Sequence, residues 1–315
     1  MAMPTPTLLI VGSTAVGKTA ALDALVQDSR CPPLEIISAD SRQVYTFMDI
    51  GTAKPTPQER ARAPYHVIDM ISPQESWDVG QFVETADSLI PLIRDRGAVP
   101  VICGGTGFYH QGFMYGLPGT PRASHELRHH LEQRVHREGL EALRSELRTV
   151  DPLSEQRIAP NDRYRVIRAL EVYHTSGNPL SSYTNPSTPR PGVSPVVVGL
   201  YRSRDELYRR IAARVERMFK AGLPDEVVRL LEMGYSPSDP GLQTIGYREF
   251  FEIGGPPPWR TPVLDQVRAM VERNTRRYAK RQETFFRRFP RVQWVPAEDD
   301  QALRDACAAV LDTHR

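Results

Sequence analysis

The octet Gly12-Ser13-Thr14-Ala15-Val16-Gly17-Lys18-Thr19 follows the apolar run Leu8-Leu9-Ile10-Val11 and precedes the helical pattern Ala20-Ala21-Leu22-Asp23-Ala24-Leu25-Val26. A buried strand, a glycine-rich turn and the start of a helix are thereby set end to end. The octet fits G-x-x-x-x-G-K-[ST]. In that setting the turn's amides and the helix N-terminus face one small volume, suited to a diphosphate or triphosphate. Lys18 is expected to neutralise phosphate oxygens, and the Thr19 hydroxyl to ligate Mg²⁺. A chance match in a loop would lack the flanking strand and helix. The chain handles a phosphorylated ligand.

Bulk properties narrow the class. At 315 residues, with 25% charged and 40% hydrophobic residues, the chain suits an ordinary soluble protein of one large or two modest domains. No apolar run approaches membrane-spanning length. Met1-Ala2-Met3-Pro4 carries no charged n-region, so no signal peptide is expected. Cys31, Cys103 and Cys307 are scattered, which suits reduced thiols in a cytoplasm. The net charge of +2 says little about partners. Its distribution says more.

The first third alternates strand and helix. Leu34 to Asp40 is an apolar run ending in a carboxylate, and Val99 to Cys103 is another, ending in Gly104-Gly105-Thr106-Gly107. Between them, Phe82, Ala86, Leu89 and Ile93 step at helical spacing. This alternation predicts a doubly wound α/β fold with a parallel sheet, whose ligands sit beyond the carboxyl ends of the strands. Gly12–Thr19, Asp40 and Gly104–Gly107 all follow strand ends, so they are expected to converge on one site. From 121 to 195 the pattern is helical, then proline-rich (Pro179, Pro186, Pro189, Pro191, Pro195), before a strand resumes at Val196. A helical insertion over 121–195, inside a core of 1–120 and 196–315, is the organisation this implies. A long helix is expected from about Val263 to Phe289. Its apolar residues include Val267, Val271, Tyr278, Phe285 and Phe289, and its basic ones Arg268, Arg273, Arg276, Arg277, Lys280, Arg281, Arg287 and Arg288.

Candidate chemistry follows from position. Asp40, at a strand end near a phosphate cradle, suits a base or a water-mediated Mg²⁺ ligand, or else a turn acceptor for the residues after it. The polar run Ser38 to Gln43 favours substrate reading. The glycine turn at 104–107 lets a second backbone approach the ligand. One of Arg209, Arg210, Arg214 and Arg217 could offset leaving-group charge, and spacing does not choose among them. His125 and His129 stand at i, i+4 without a third ligand, which fits solvated helix better than metal. Nine Lys/Arg against three Asp/Glu between Trp259 and Pro290, interleaved with aromatics, suits a phosphodiester backbone, although an amphipathic helix explains the aromatics. Two enzyme classes compete on these grounds: a P-loop kinase phosphorylating a small acceptor, and an RNA-modifying transferase that cradles a different diphosphate. A switch or motor without transfer chemistry has no use for Asp40 as a base.

The chain also resembles the tRNA dimethylallyltransferases (tRNA isopentenyltransferases) along nearly its whole length. The matching stretches are Gly12–Thr19, Ile36 to Tyr45, Met48 to Thr56, Gly104–Tyr109, Asn161-Asp162 with Arg165, Arg168 to Glu171, Ile245 to Glu249, and Arg281-Gln282. The resemblance implies a P-loop NTPase-like α/β core with a helical insertion that grips the tRNA anticodon stem-loop. It implies transfer of a dimethylallyl group from dimethylallyl diphosphate to the exocyclic amine of the adenosine 3′ of the anticodon. On this resemblance Gly12, Ser13, Thr14, Ala15, Val16, Gly17, Lys18 and Thr19 hold the donor diphosphate with Mg²⁺ at Thr19. Asp40 is then the general base, and Thr14 and Arg214 hold the diphosphate or stabilise its departure. Asp40, Ser41, Arg42, Gln43, Thr106, Arg128, Gln156, Arg157, Ile158, Ala159, Pro160, Gln243, Thr244, Ile245, Gly246, Tyr247 and Arg248 match tRNA-contacting positions. A channel between core and insertion is expected, because adenine must leave its stack to present the amine. A cytoplasmic monomer without membrane attachment is the expected setting.

Three details depart from or narrow the family pattern. Ser13 stands where proline is usual and Val16 where serine is, which removes one hydroxyl from the cradle but no amide. Phe285 stands where tryptophan is common. The absence of a zinc-finger extension fits the bacterial type.

Overall fold

The computed structural model describes residues 6–121, 124–184, 186–253 and 255–312. Two compact units divide the chain: 1–114 with 189–315, and 115–188.

The first unit is built on six parallel strands. In chain order they are β1 (Pro6–Val11), β2 (Leu34–Ser38), β3 (Tyr65–His66), β4 (Val99–Gly104), β5 (Ser194–Tyr201) and β6 (Gln293–Pro296), lying in the order β3-β2-β4-β1-β5-β6. Leu8 to Val11, Ile37, Val99, Val101 and Ile102 have no exposed surface. Continuous apolar runs of this kind belong to parallel strands covered on both faces.

Helices α1 (Lys18–Gln27), α2 (Pro57–Arg62), α3 (Val79–Asp95) and α4 (Gly107–Tyr115) link the first strands. The start of α3 is set by a reciprocal capping box, in which Asp78 accepts from the Gln81 amide and Gln81 accepts from the Asp78 amide. Its apolar stripe of Phe82, Ala86, Ile90 and Ile93 is buried, and α3 packs on β4. This is the spacing the sequence offers.

The second unit contains α5 (His125–Glu138), α6 (Leu140–Val150), α7 (Pro152–Arg157) and α8 (Arg163–Ser176). Leu131, Leu143, Leu147, Val166 and Leu170 form its own core with no exposed surface. Asp162 caps α8 by accepting from the Arg165 amide, and Gly177 ends it in the left-handed region at φ 73°.

The expected boundaries of 121 and 195 differ from these units by several residues, for a visible reason. Arg190 is tied to the first unit: its amide donates to Met114 O at 3.0 Å and its guanidinium to Phe113 O at 2.6 Å and to Asp87. Four residues later, Ser194 is already paired with Pro6 in the sheet.

After β5 come α9 (Arg204–Lys220), α10 (Leu223–Glu232), α11 (Arg248–Ile253), α12 (Thr261–Phe286) and α13 (Asp300–Leu311). At the start of α9 the Ser203 hydroxyl accepts from the Glu206 amide. Helix α12 packs along α9, and α13 covers β1, β5 and β6. The long basic helix therefore ends at Phe286, three residues before the expected Phe289. Among the described residues no helix is long and apolar enough to cross a membrane, and the three cysteines are free thiols.

Candidate active site

The sheet register places three strand ends level. Val11 pairs with Gly104 and Ser38 with Cys103, so the turns after β1, β2 and β4 leave the sheet side by side.

The turn after β1 is shaped by its two glycines. Gly12 has φ 156° and Gly17 φ 121°, and a Cβ on Gly12 would lie 3.0 Å from both Leu200 O and the Val16 side chain. Ala15 is held at φ 63°, a conformation a non-glycine residue adopts only when its surroundings impose it. Those surroundings are visible. Arg210 Nε donates to Ala15 O at 2.9 Å and Arg202 Nε to Val16 O at 2.7 Å. Lys18 Nζ donates to Gly12 O and Ser13 O, each at 2.9 Å. Carbonyls of the loop are thus drawn away to fixed cations. Gly17, the N-cap of α1, makes no side-chain cap, so the helix N-terminus is open to an anion. Burial lowers the Lys18 ammonium from its ordinary value, opposed by Cys103 and the Asp40 carboxylate.

Asp40 follows β2. Its Oδ1 accepts from the Arg42 amide at 2.9 Å, so the turn-acceptor reading is realised. The carboxylate also lies within electrostatic range of Lys18 and of Arg214. Arg214 is half-buried on α9, where burial lowers its guanidinium, and its Nη2 reaches Thr52 O at 3.5 Å. Of the four arginines offered by the sequence, Arg214 faces Asp40, Arg210 holds the loop from outside, and Arg209 pairs with Glu206 at 2.7 Å.

The turn after β4 is fastened to the turn after β2. Thr106 N donates to Ala39 O at 3.0 Å, and Thr106 Oγ1 accepts from the Ser41 amide at 3.0 Å. The Tyr278 phenol of α12 lies near Thr106, and burial pushes it up to about 12. His110 supports this turn from beneath, with Nε2 3.2 Å from Gly104 O. Burial drives its imidazole down to about 3, so the ring is neutral and Nε2–H donates.

Residues expected at an RNA surface fall into two groups. Arg42, Gln243 and Arg248 keep side-chain exposure, and Gln43 is spent on Ser38 Oγ at 2.9 Å and Ala53 O at 3.2 Å. Thr244, Gly246 and Tyr247 are buried and present no side chain to a surface. Tyr247 Oη donates to Glu226 at 2.6 Å, and Glu226 accepts from the amides of Asp49, Ile50 and Gly51 at 2.9–3.2 Å. A Cβ on Gly51 would meet the Tyr247 ring at 2.3 Å. This carboxylate nest anchors the loop that carries Thr52.

In the helical unit, Gln156, Arg157, Ala159 and Pro160 are exposed and Ile158 belongs to the core. Arg144 fixes this segment by donating to Ile158 O at 3.3 Å, Ala159 O at 3.1 Å and Glu155 Oε1 at 2.7 Å. Arg128 lies over the exposed Tyr164 ring at 5.2 Å and 3.6 Å from buried Glu171. His129 pairs with Gln133, and no group of three or more His, Cys, Asp or Glu suited to a metal occurs among the described residues.

Comparison with known proteins agrees with this geometry. Residues 43–289 match the family model described as IPP transferase. The chain belongs to the IPP transferase family. Across 311 residues it is 42% identical to the tRNA dimethylallyltransferase of Symbiobacterium thermophilum, covering 98% of this chain and 95% of that one. The solved full-length tRNA isopentenylpyrophosphate transferase of Bacillus halodurans is 37% identical, with a TM-score of 0.67 over 98% of this chain and 97% of that one. A eukaryotic dimethylallyltransferase acting on tRNA is 25% identical with a TM-score of 0.75, covering 96% and 78%. The kinase alternative is not favoured in this family.

Arg202, Arg144, Glu226 and His110 were not singled out from sequence. Arg202 and Glu226 act on backbone distant in the chain, and Arg144 and His110 on turns beyond their own helices, for which helical or strand periodicity gives no signal.

The buried neutral imidazole has a measurable consequence. The unfolded chain takes up a proton near pH 6.5 that native His110 excludes down to about 3, so this group costs stability progressively as pH falls below about 6.5. In denaturant titrations over pH 5–6, His110→Gln should show a shallower fall by up to about 1.4 kcal/mol per pH unit. Equal slopes would contradict a buried neutral His110.

Proposed function

We propose that this chain transfers the dimethylallyl group of dimethylallyl diphosphate to the exocyclic amine of the adenosine 3′ of a tRNA anticodon, releasing diphosphate. The observation that carries the proposal is an open phosphate cradle and Asp40 at level strand ends two strands apart, in a chain of the IPP transferase family. The cradle would receive the diphosphate at the amides of Ala15 to Thr19, with Lys18 turning from Gly12 O and Ser13 O to a phosphate oxygen.

The chemistry is a displacement at C1 of the donor. The amine nitrogen forms the new bond to C1 as the C1–O bond breaks, and the electron pair leaves with the diphosphate. Asp40 takes the amine proton. Charge grows on the departing diphosphate, so the loop amides, Lys18 and Arg214, fixed beforehand, stabilise the transition state more than the ground state. Burial lowers Arg214, yet a guanidinium remains charged in any protein.

The residues fit Mg²⁺. The Thr19 hydroxyl is exposed at the start of α1 and makes no hydrogen bond among the described residues. Among the described residues, Asp40 is hydrogen-bonded through Oδ1 alone. Such sparse protein ligation suits a cation held mostly by substrate phosphates and water. When bound, Mg²⁺ would supply further neutralisation of the diphosphate, with Thr19 and water-bridged Asp40 as its protein contacts.

RNA would be held through its backbone by the exposed Arg273, Arg277, Lys280 and Arg281 of α12, and by the exposed segment 156–160. Free thiols, and a tRNA substrate, support a cytoplasmic setting.

Incubated with unmodified tRNA and Mg²⁺, the protein should consume labelled dimethylallyl diphosphate, transfer the label to tRNA, and leave ATP intact. Asp40→Asn should lower the transfer rate by roughly 10²–10⁴-fold with donor affinity little changed. ATP turnover without prenyl transfer would overturn the function, and full turnover by Asp40→Asn would leave the carboxylate a turn residue only. Neutralising Arg273, Arg277 and Lys280 together should weaken tRNA binding and flatten its dependence on salt, because fewer phosphate contacts release fewer counterions. Unchanged affinity across several salt concentrations would make the stripe solvated surface.

A further inference from the structure

Gln282 lies on α12, 6% exposed, 268 residues from the cradle it touches. Its Oε1 accepts from the Thr14 amide at 2.8 Å and its Nε2 donates to Gly105 O at 2.8 Å. One carboxamide therefore joins the phosphate loop after β1 to the glycine turn after β4. The second turn carries Thr106, whose backbone and hydroxyl hold Ala39 and Ser41 on either side of Asp40. One helical turn away on the same face of α12, the Tyr278 phenol lies near Thr106.

Amide chemistry is required at this point. A primary carboxamide is the neutral side chain of this length that accepts from an N–H and donates to a C=O at once. Glutamate would face Gly105 O without a proton to give and would add negative charge beside the diphosphate cradle. Asparagine is one methylene short. The opposing residue is fitted to it as well. A Cβ on Gly105 would lie 2.2 Å from Gln282 Nε2, so the absence of a side chain at 105 is what admits the amide.

We propose that Gln282 is a positioning residue for prenyl transfer. Its carboxamide sets the separation between the loop that holds the leaving diphosphate and the turn that holds Asp40, and hence the approach of the amine to C1. The inference rests on the transfer reading above. Gln282 touches neither reactant; it acts through the two backbones. Loss of the clamp leaves the amides of Ala15 to Thr19 and Lys18 in place, so donor binding persists while the geometry between donor and base loosens. Misplacement of reacting groups by about 1 Å costs on the order of 10²-fold in rate. With the amine poorly placed, water captures C1 more often: its oxygen bonds to C1 and loses a proton to Asp40 or solvent, the C1–O bond to diphosphate breaks with its electron pair leaving on the diphosphate, and dimethylallyl alcohol and diphosphate result.

The test compares wild type, Gln282→Met and Gly105→Ala in full-length protein, with donor, tRNA and Mg²⁺. Methionine keeps the volume and loses both hydrogen bonds. Alanine at 105 displaces the amide without altering Gln282, so it tests the clamp even where Gln282→Met does not fold. Each variant should lower kcat for transfer by roughly 10–100-fold, leave donor KM within about threefold, and raise the ratio of dimethylallyl alcohol to prenylated tRNA by about tenfold. The double variant should be no worse than the more impaired single one, because both remove one interaction. Gln282→Glu should fail to rescue. Wild-type kcat and partition in Gly105→Ala, or alcohol and prenyl-tRNA falling in parallel with donor affinity, would overturn the proposal. Absence of transfer by the wild type would instead refute the function on which it rests.

Discussion

Parallel pairing of β2, β4 and β1 with level C-terminal ends is the constraint on which the site depends. Ser38 lies opposite Cys103 and Val11 opposite Gly104, so three turns of unrelated sequence begin at one height on one edge of the sheet. Strands of this kind are spaced about 4.8 Å apart, which puts a phosphate cradle and a carboxylate two strands away within reach of one small substrate. Both faces of these strands are buried, as at Leu8 to Val11 and at Val99, Val101 and Ile102, so a one-residue slip would set every side chain against the opposite layer and force both to repack.

Level strand ends do not by themselves fix loops. The cradle is held from outside by side chains that take up its carbonyls, Arg202 on Val16 and Arg210 on Ala15, while Gln282 takes the Thr14 amide. The left-handed Ala15 persists because of these bonds, at a local cost of order 1–3 kcal/mol that the surrounding structure offsets. A loop ordered before the ligand arrives stabilises developing charge without reorganising, which is where most electrostatic catalysis comes from. Loop 49–52 follows the same plan, with Glu226 filling a nest of three amides and Tyr247 filling the space left by Gly51.

Much of this was legible in the chain. The octet at 12–19, the two apolar runs ending at Asp40 and Gly104, and the stripe on α3 depend on neighbours in sequence, and their patterns carry through to the fold. Strand β3 was invisible because two residues at an edge carry no periodicity. Strand β6 was hidden as well, since Gln293 and Trp294 are exposed and only Val295 is buried. Roles that depend on distant partners were beyond local reading. Gln282 stood out only as part of a family motif, although it is the clamp on the cradle. Tyr247 carried a surface expectation, yet its hydroxyl is committed to a buried glutamate. Arginines of one helix, equivalent by spacing, divide into loop holder, Asp40 neighbour and surface ion pair once α9 is packed.

The central claim is that one cradle presents the donor's diphosphate to Asp40. A crystal structure with a non-cleavable thiolo analogue of dimethylallyl diphosphate and Mg²⁺ tests it most directly. Phosphate oxygens should accept from the amides of Ala15 to Thr19, Lys18 Nζ should have left Gly12 O and Ser13 O for a phosphate oxygen, and C1 should face Asp40. A diphosphate lodged instead in the neighbouring cleft lined by Arg204, Tyr208, Lys280 and Arg287, with Lys18 still on its backbone carbonyls, would contradict the account.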